Sequence, residues 1–199
     1  MDTQTPTNTR DQLLSHAQKL IRTRGCNGFS YRDLADHVGV KTSSIHYYFP
    51  CKDDLLYEAV ESYSTRALAA LRAIDTTLPA QEQLDAYLHL LETQACGDGD
   101  ELCLGGMLAA EVMSLPEKVR LALQGFFNAH ESWLARVLRE GAAQGTLKFS
   151  GSPEVTARAL FSTVQGCLIS SRLFHEPPRL CQAVGAMYVE CDGGKAATS

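Results

Sequence analysis

The sequence predicts an all-α protein of about nine helices, because apolar residues recur at intervals of three and four along most of the chain. Gly and Pro separate these periodic stretches, and Ser precedes several of them. No stretch alternates apolar and polar residues as a half-buried strand does. We expect an N-terminal three-helix domain at residues 1–52 with an arm at 1–8, a helical body at 53–191, and a flexible tail at 192–199.

The first predicted helix runs from Thr9 or Arg10 to Arg24. Its last turn is basic, which suits the negative end of the helix dipole, and Gly25 can end it. Its apolar stripe comprises Leu13, Leu14, Ala17, Leu20 and Ile21.

Residues 30–52 predict two short helices joined by a tight turn. Ser30 is a candidate N-cap with Asp33 three residues later, close to a capping box. Gly39 can adopt the positive φ of a sharp turn, and a small residue, Ala35, lets the two helices cross closely. With Ile45 as the apolar anchor, this spacing is typical of a helix-turn-helix, whose second helix enters the DNA major groove.

The second helix of this pair carries short or planar polar groups that can meet base edges and phosphates. Its apolar residues would point into the core: Ile45, Tyr48 and Phe49. A merely solvated polar face is the alternative. The DNA-contacting residues we expect from this pattern are Arg32, Lys41, Thr42, Ser43, Ser44, His46 and Tyr47.

The helices of the body follow from the same period and boundaries. Ser114, Pro116 and Glu117 predict one helix start, and Ser152 with Pro153 predicts another. The expected ranges are 53–74, 80–96, 102–113, 114–144, 152–174 and 179–190, with a surface loop at 97–100.

Charge is unevenly distributed, although the net charge is −5. Residues 1–52 hold seven basic and four acidic residues, a balance of +3, whereas the remainder holds 11 basic and 19 acidic residues, a balance of −8. A basic head on an acidic body suits a protein that touches nucleic acid at one end, although a chance fluctuation is the alternative.

The composition and the motifs of the sequence argue against several classes of protein. Seven cysteines without paired spacing indicate a reducing cytoplasm. The sequence contains neither C-x-x-C nor H-x-x-x-H, so we expect no structural zinc site. No apolar run is long enough for a membrane span. The sequence lacks a Ser-His-Asp order, a paired-carboxylate site and a Gly-rich phosphate loop, so we do not expect an enzyme. We also expect no cofactor.

The stretch GFSYRDLADHVGVKTSSIHYYFPCKDDLLYEAV resembles the DNA-binding domain of the TetR family of transcriptional regulators. That resemblance implies two further DNA-binding residues, since Lys52 would contact a DNA phosphate and Tyr48 would pack or reach the backbone. It also implies that the helix after Lys52 transmits ligand binding to the recognition helices. The sequence departs from the family pattern at residues 41–44, at the reversed pair His46-Tyr47, and at Cys51, where Ser is usual. The matching residues are Ala35, Gly39, Val40, Tyr48, Phe49, Pro50, Lys52, Asp53, Asp54, Leu55 and Leu56.

By the same resemblance, the body binds a small-molecule effector and forms a homodimer through its last two long helices. A palindromic double-stranded DNA operator requires such a dimer. Apolar residues for this interface are Ala157, Leu160, Phe161, Val164, Leu168, Leu173, Val184, Met187 and Tyr188, some of which must belong to the core. Ligand-binding candidates are Tyr87, Leu91, Cys103, Met107, Phe127, His130, Phe161 and Gln165, with ordinary core packing as the alternative for each.

Two cysteines are candidate redox or electrophile sensors. Cys103, in ELCLGGMLAAEV, resembles a pattern in the branch of the family that includes the N-ethylmaleimide repressor. Cys51 precedes Lys52 at a predicted helix start, where a thiolate is favoured. The alternatives are a small buried residue for Cys103 and a serine-like surface residue for Cys51. The sequence thus predicts a dimeric repressor released by an apolar or electrophilic molecule, or a thiol-based regulator of the same fold.

Overall fold

The structure is a computed structural model that describes residues 8–95 and 101–190. The described residues contain nine α-helices, which confirms the predicted fold class. They are α1 Thr9–Arg24, α2 Tyr31–Val38, α3 Thr42–Tyr48, α4 Lys52–Arg72, α5 Ala80–Ala95, α6 Leu104–Ala110, α7 Glu117–Gln144, α8 Pro153–Phe174 and α9 Leu180–Gly185, with a 3-10 turn at Val112–Ser114 and two-residue strands β1 Leu147–Lys148 and β2 Val189–Glu190.

The chain divides into two compact units, and the division does not follow the sequence boundary at residue 52. The first unit comprises Met1–Arg66 and Glu101–Phe126, and the second comprises Ala67–Asp100 and Phe127–Ser199. Helix α6 therefore belongs to the unit that holds α1, α2 and α3.

Backbone and side-chain bonds explain why α6 belongs to the first unit. The Leu102 amide donates to the Arg22 carbonyl at 3.1 Å, and Arg22 Nε donates to the Leu102 carbonyl at 2.8 Å. The Arg22 guanidinium also pairs with Glu101. At the other end of the segment, the Glu111 carboxylate accepts from the Cys26 amide at 2.6 Å.

One apolar core fills the first unit. Gly105 lets α6 approach α7, since a Cβ there would lie 2.6 Å from Phe126 Cε1. Phe29, in the loop before α2, is buried against this core. Fully buried members are Leu13, Ala17 and Ile21 of α1, Leu34 of α2, Ile45 of α3, Phe49 just after α3, Leu55 and Ala59 of α4, Leu104 and Leu108 of α6, and Val119 of α7.

Helix α7 begins at Glu117 and not at Ser114, because Ser114 belongs to the 3-10 turn Val112–Ser114. In the second unit, the predicted start of α8 is confirmed. The Ser152 hydroxyl accepts from the Val155 amide at 3.3 Å, and Pro153 occupies the first turn of α8. Helix α7 ends at Gln144, before Gly145.

Two predicted helices are wrong in length. The helix predicted at 179–190 spans only Leu180–Gly185, because Gly favours its ending and Val189–Glu190 pairs antiparallel with Leu147–Lys148. The helix predicted at 102–113 is only Leu104–Ala110, since the Leu102 amide is bonded to α1. The arm, apart from residue 8, the tail at 192–199 and the loop at 97–100 lie outside the described residues.

Candidate nucleic-acid interface and effector site

The turn between α2 and α3 is built by local contacts that the sequence predicted. Ser30 and Asp33 form a capping box in which the Ser30 amide donates to Asp33 Oδ2 at 2.7 Å. Gly39 ends α2 at φ 77°, and both its amide and the Val40 amide donate to the Ala35 carbonyl. These bonds fix the angle at which α3 leaves the turn.

Helix α3 separates polar and apolar residues onto opposite faces. Ile45 and Phe49 are completely buried, whereas the Tyr47 side chain is 82% exposed. The intermediate positions, Ser44 and Tyr48, are half-buried. The remaining expected contact residues on this surface are exposed: Lys41, Thr42, Ser43 and His46, with Arg32 on α2.

His46 is held by two neighbours although it is exposed. Its Nδ1 lies 3.2 Å from the Pro50 carbonyl oxygen. Its ring meets the Tyr31 ring edge-on, with centroids 4.9 Å apart. The Tyr31 hydroxyl in turn donates to the Phe49 carbonyl at 2.9 Å, and burial raises the pKa of this phenol. Sequence reasoning did not identify Tyr31 as a support, because this contact joins different helices.

Lys52 has a structural partner inside the first unit. Its Nζ donates to the Phe29 carbonyl at 2.6 Å and lies 4.3 Å from the centre of the Phe29 ring. In this position Lys52 ties the start of α4 to the loop before α2.

Cys51 and Cys103 have opposite hydrogen-bonding roles. The exposed Cys51 thiol donates to Asp54 Oδ2 at 3.0 Å, and this bond, together with Lys118, lowers the pKa of Asp54. Cys103, at the N-cap of α6, accepts from the Tyr63 hydroxyl at 3.8 Å. Burial first, and the neighbouring Cys103 second, raise the pKa of Tyr63, so this phenol remains a donor.

Cys26 is a third cysteine of the first unit. It is buried, and burial and the adjacent Glu111 raise its pKa to about 11. A thiol held this firmly protonated is a poor nucleophile.

Four of the ligand-binding candidates meet in an aromatic cluster in the second unit, formed by Tyr87, Phe127, His130, Trp133 and Phe161. The Tyr87 hydroxyl lies 3.2 Å from His130 Nδ1, and the His130 ring stacks on Phe161 with centroids 4.9 Å apart. Phe127 meets Phe161 edge-on at 5.2 Å, and Trp133 stacks on Tyr87 at 5.2 Å.

Three of the five members of the aromatic cluster are almost completely buried. Tyr87 is completely buried, and His130 and Phe161 are each 2% exposed. Burial lowers the pKa of His130 to about 4, so its imidazole is neutral near pH 7.

The other predicted ligand residues are not all in this cluster. Leu91 and Gln165 are half-buried in the second unit, whereas Cys103 and Met107 belong to the first. The predicted ligand set is therefore divided between the two units.

A polar cleft of about 400 Å³ lies between α1 and α2 in the first unit. Two of its residues, His16 and His37, stack with ring centroids 3.4 Å apart. Burial, and then the neighbouring His37, lower the pKa of His16. The cleft is lined by Gln12, Ser15, His16, Lys19, His37 and Val38.

Most of the apolar residues expected at a dimer interface are instead core residues of the second unit. Leu173 is 71% exposed, whereas the other residues of the set, on α8, on α9 and in the turn after α9, are buried or half-buried. Buried or half-buried members are Ala157, Leu160, Phe161, Val164, Leu168, Val184, Met187 and Tyr188.

Helix α8 exposes a different apolar stripe. Val155, Ile169 and Leu173 are 62%, 55% and 71% exposed. Between them lie the small residues Ser162 and Gly166, and a Cβ added at Gly166 would meet nothing within 4 Å. Small residues between apolar ones permit close approach of a second helix.

The described residues offer neither a membrane-spanning helix nor a metal site. No helix there is long and apolar enough to cross a membrane. Within residues 8–95 and 101–190, no three His, Cys, Asp or Glu side chains come together in a way that could hold a metal ion.

The exposed polar face of α3, the buried anchor Ile45 and the capped turn before them define a helix-turn-helix DNA-binding protein. Residues 13–59 match the family model "Bacterial regulatory proteins, tetR family", and residues 81–187 match "Tetracyclin repressor-like, C-terminal domain". The chain belongs to the TetR family of transcriptional regulators.

Characterised relatives match over most of their length. The transcriptional regulator AcuR of Cereibacter sphaeroides is 26% identical, with 88% of this chain and 84% of the relative covered. The HTH-type transcriptional repressor NemR of Escherichia coli K12 is 25% identical, with 87% and 88% covered. A TetR-family regulator from Agrobacterium tumefaciens has a crystal structure that matches with a TM-score of 0.83 at 33% identity, covering 92% of this chain and 95% of that one.

Proposed function

We propose that this TetR-family regulator is a homodimeric repressor that binds a palindromic operator and leaves it when a small apolar or electrophilic molecule binds. The observation that carries this proposal is the exposed polar face of α3, in which Tyr47 is 82% exposed while Ile45 and Phe49 are completely buried. A repressor of this kind acts on operator DNA in the cytoplasm. A relative of similar length, NemR, is named as a repressor.

Recognition of DNA is assigned to α3 and the residues beside it. Tyr47, Thr42 and Ser43 would meet base edges, and Lys41 would meet a phosphate. Burying Tyr47 against DNA removes a large exposed aromatic surface from water, which favours binding. Arg32 and Lys52 would add charge beside α3, with Lys52 also retaining its bond to the Phe29 carbonyl.

The proposal is tested by fluorescence anisotropy with labelled DNA from upstream of the regulator's own gene. The wild type should bind this DNA tightly at low salt, and Tyr47→Ala should bind at least about tenfold more weakly. Met113→Ala is the matched control, because Met113 is 91% exposed in the same unit but far along the chain from α3. If both variants bind this DNA equally well, the exposed face of α3 does not recognise DNA.

The dimer interface is assigned to the α8 stripe of Val155, Ser162, Gly166, Ile169 and Leu173. Gly166→Leu should be tolerated by the isolated chain, because the added side chain meets no neighbour there. It should nevertheless convert the dimer to a monomer in sedimentation analysis, since two helices could no longer approach closely. Gly125→Leu is the control, as Gly125 is also open but lies on α7 in the first unit.

The effector site is assigned to the aromatic cluster of the second unit. Its neutral His130 and the Tyr87 hydroxyl are polar groups in apolar surroundings, an arrangement suited to an uncharged ligand that offers one or two hydrogen-bonding atoms. Trp133 is the chain's only tryptophan and stacks on Tyr87, so its fluorescence reports on this cluster. A library of small apolar compounds should contain some that quench Trp133 and also release DNA.

A thiol-based sensor is the second candidate, and the Tyr63–Cys103 contact favours it. The Cys103 sulfur accepts a hydrogen bond from the Tyr63 hydroxyl, whereas the Cys51 thiol is the donor in its bond to the Asp54 carboxylate. N-ethylmaleimide, which forms a C–S bond with a thiolate, should release the wild type from DNA. Release should persist in Cys51→Ser and be lost in Cys103→Ser; release that persists in Cys103→Ser would exclude this mechanism.

A further inference from the structure

The hydrogen bond between His46 and Pro50 determines which ring nitrogen of His46 carries a proton. A backbone carbonyl only accepts, so Nδ1, 3.2 Å from the Pro50 oxygen, must be the donor. In the neutral imidazole, Nε2 is then unprotonated and can only accept a hydrogen bond. No bond from Nε2 to another described residue is present.

The Tyr31 ring fixes the plane of this imidazole from the other side. It meets His46 edge-on at 4.9 Å, and its own position is set by the bond from its hydroxyl to the Phe49 carbonyl. An exposed side chain that is already oriented loses less conformational entropy when it binds. Tyr31 is therefore a positioning residue, and His46 is the group it positions.

The ring lies on the surface of α3 that would face DNA. His46 follows Thr42 by four residues and Ser43 by three, which places the three on neighbouring positions of one helical face. All three are exposed, whereas Ile45 and Phe49 are buried.

We propose that His46 reads a base that carries an exocyclic amino group, adenine or cytosine, by accepting that amino hydrogen at Nε2. This inference rests on the proposed function and deepens it. In the major groove, adenine N6 and cytosine N4 are donors, whereas guanine and thymine present acceptors there. Two acceptors cannot form a hydrogen bond with each other, so a His46 in this tautomer discriminates against guanine and thymine at its position.

Three substitutions separate the reading of a base by His46 from the positioning of its ring by Tyr31. In His46→Asn, the amide nitrogen replaces Nδ1 and can still donate to the Pro50 carbonyl, but nothing remains at the position of Nε2. In His46→Gln, the amide group reaches the position of Nε2, where a glutamine pairs well with adenine. Tyr31→Phe keeps the ring against His46 and loses only the bond to the Phe49 carbonyl.

The experiment is in vitro selection from a random double-stranded DNA library with the purified full-length protein. The wild type should prefer adenine or cytosine at one symmetric position of its site, by about tenfold over guanine or thymine. His46→Asn should lose that preference and keep those at other positions, and His46→Gln should prefer adenine there. Tyr31→Phe should retain the identity of the preferred base.

Several outcomes would overturn the inference. If His46→Asn selects the same sequence as the wild type, His46 does not select a base. The proposed function would remain intact in that case. A preference for guanine at the position that changes would contradict the acceptor role of Nε2. If the wild type selects no sequence, the proposed function fails and this inference fails with it.

A spectroscopic measurement tests the tautomer independently of DNA. In a pH series of ¹⁵N spectra, the neutral His46 ring should show a protonated Nδ1 and an unprotonated Nε2. The opposite assignment would overturn the proposal, because Nε2 would then be a donor.

Discussion

The α3 surface and the aromatic cluster of the second unit use the same residue types in opposite ways. The α3 surface exposes His46 and Tyr47, whereas the cluster buries His130 and Tyr87. Exposed groups are available to a macromolecule as large as DNA, while buried ones can be reached only by a small molecule that enters the core. Burial, more than residue type, is therefore the reason for which we propose different functions for the two pairs.

The largest expected difference between the two regions is in stability. Tyr87→Ala removes a completely buried ring and should lower the free energy of unfolding by about 3–5 kcal/mol. Tyr47→Ala should change it by less than about 0.5 kcal/mol, because Tyr47 is exposed. Urea denaturation followed by circular dichroism measures both. Similar losses in the two variants would mean that the regions are not distinguished by burial.

Acidification should destabilise the aromatic cluster through His130. The unfolded histidine binds a proton near pH 6.5, but the folded one binds it only near pH 4, so the unfolded state holds more protons between these values. Stability should therefore be complete above pH 6.5 and fall as the pH decreases, by about 3 kcal/mol in total at pH 4.

His130→Phe should remove this dependence, and Trp133→Phe should keep it, because His130 remains buried in the latter. Urea denaturation at half-unit pH steps measures the slope. A slope unchanged in His130→Phe would show that other groups cause the acid sensitivity.

On the DNA-binding side, two lysines should respond differently to substitution. Lys41→Gln should lower the slope of log affinity against log salt by about one, with little change in stability, because Lys41 is exposed. Lys52→Gln should also lower stability, by about 1 kcal/mol, since it removes the bond to the Phe29 carbonyl. Anisotropy titrations at several salt concentrations, together with melting curves, separate the two. Identical behaviour would mean that the Lys52–Phe29 bond contributes nothing.

Local features of the fold were predictable from the sequence. The capping box of Ser30 and Asp33, the positive φ of Gly39, and the start of α8 at Ser152 and Pro153 each depend on residues within four positions of one another. The separation of Ile45 from the polar face of α3 follows from helical periodicity in the same way.

Long-range features were not predictable. The placement of α6 in the first unit depends on bonds between Leu102 and Arg22 and between Glu111 and Cys26, about 80 residues apart in the sequence. The shortness of α9 depends on pairing of Val189 with Lys148. Periodicity identified an apolar α8, but it did not determine which of its faces the rest of the unit covers.

The most direct test of the central claim, that two α3 helices of a dimer read one operator, is a footprint on DNA upstream of the regulator's own gene. We expect protection of a palindrome whose half-sites lie about 34 Å apart or a multiple of that spacing. Protection should disappear with Tyr47→Ala and with Gly166→Leu, the first at the DNA surface and the second at the dimer stripe. A protected single half-site that persists with Gly166→Leu would contradict the account.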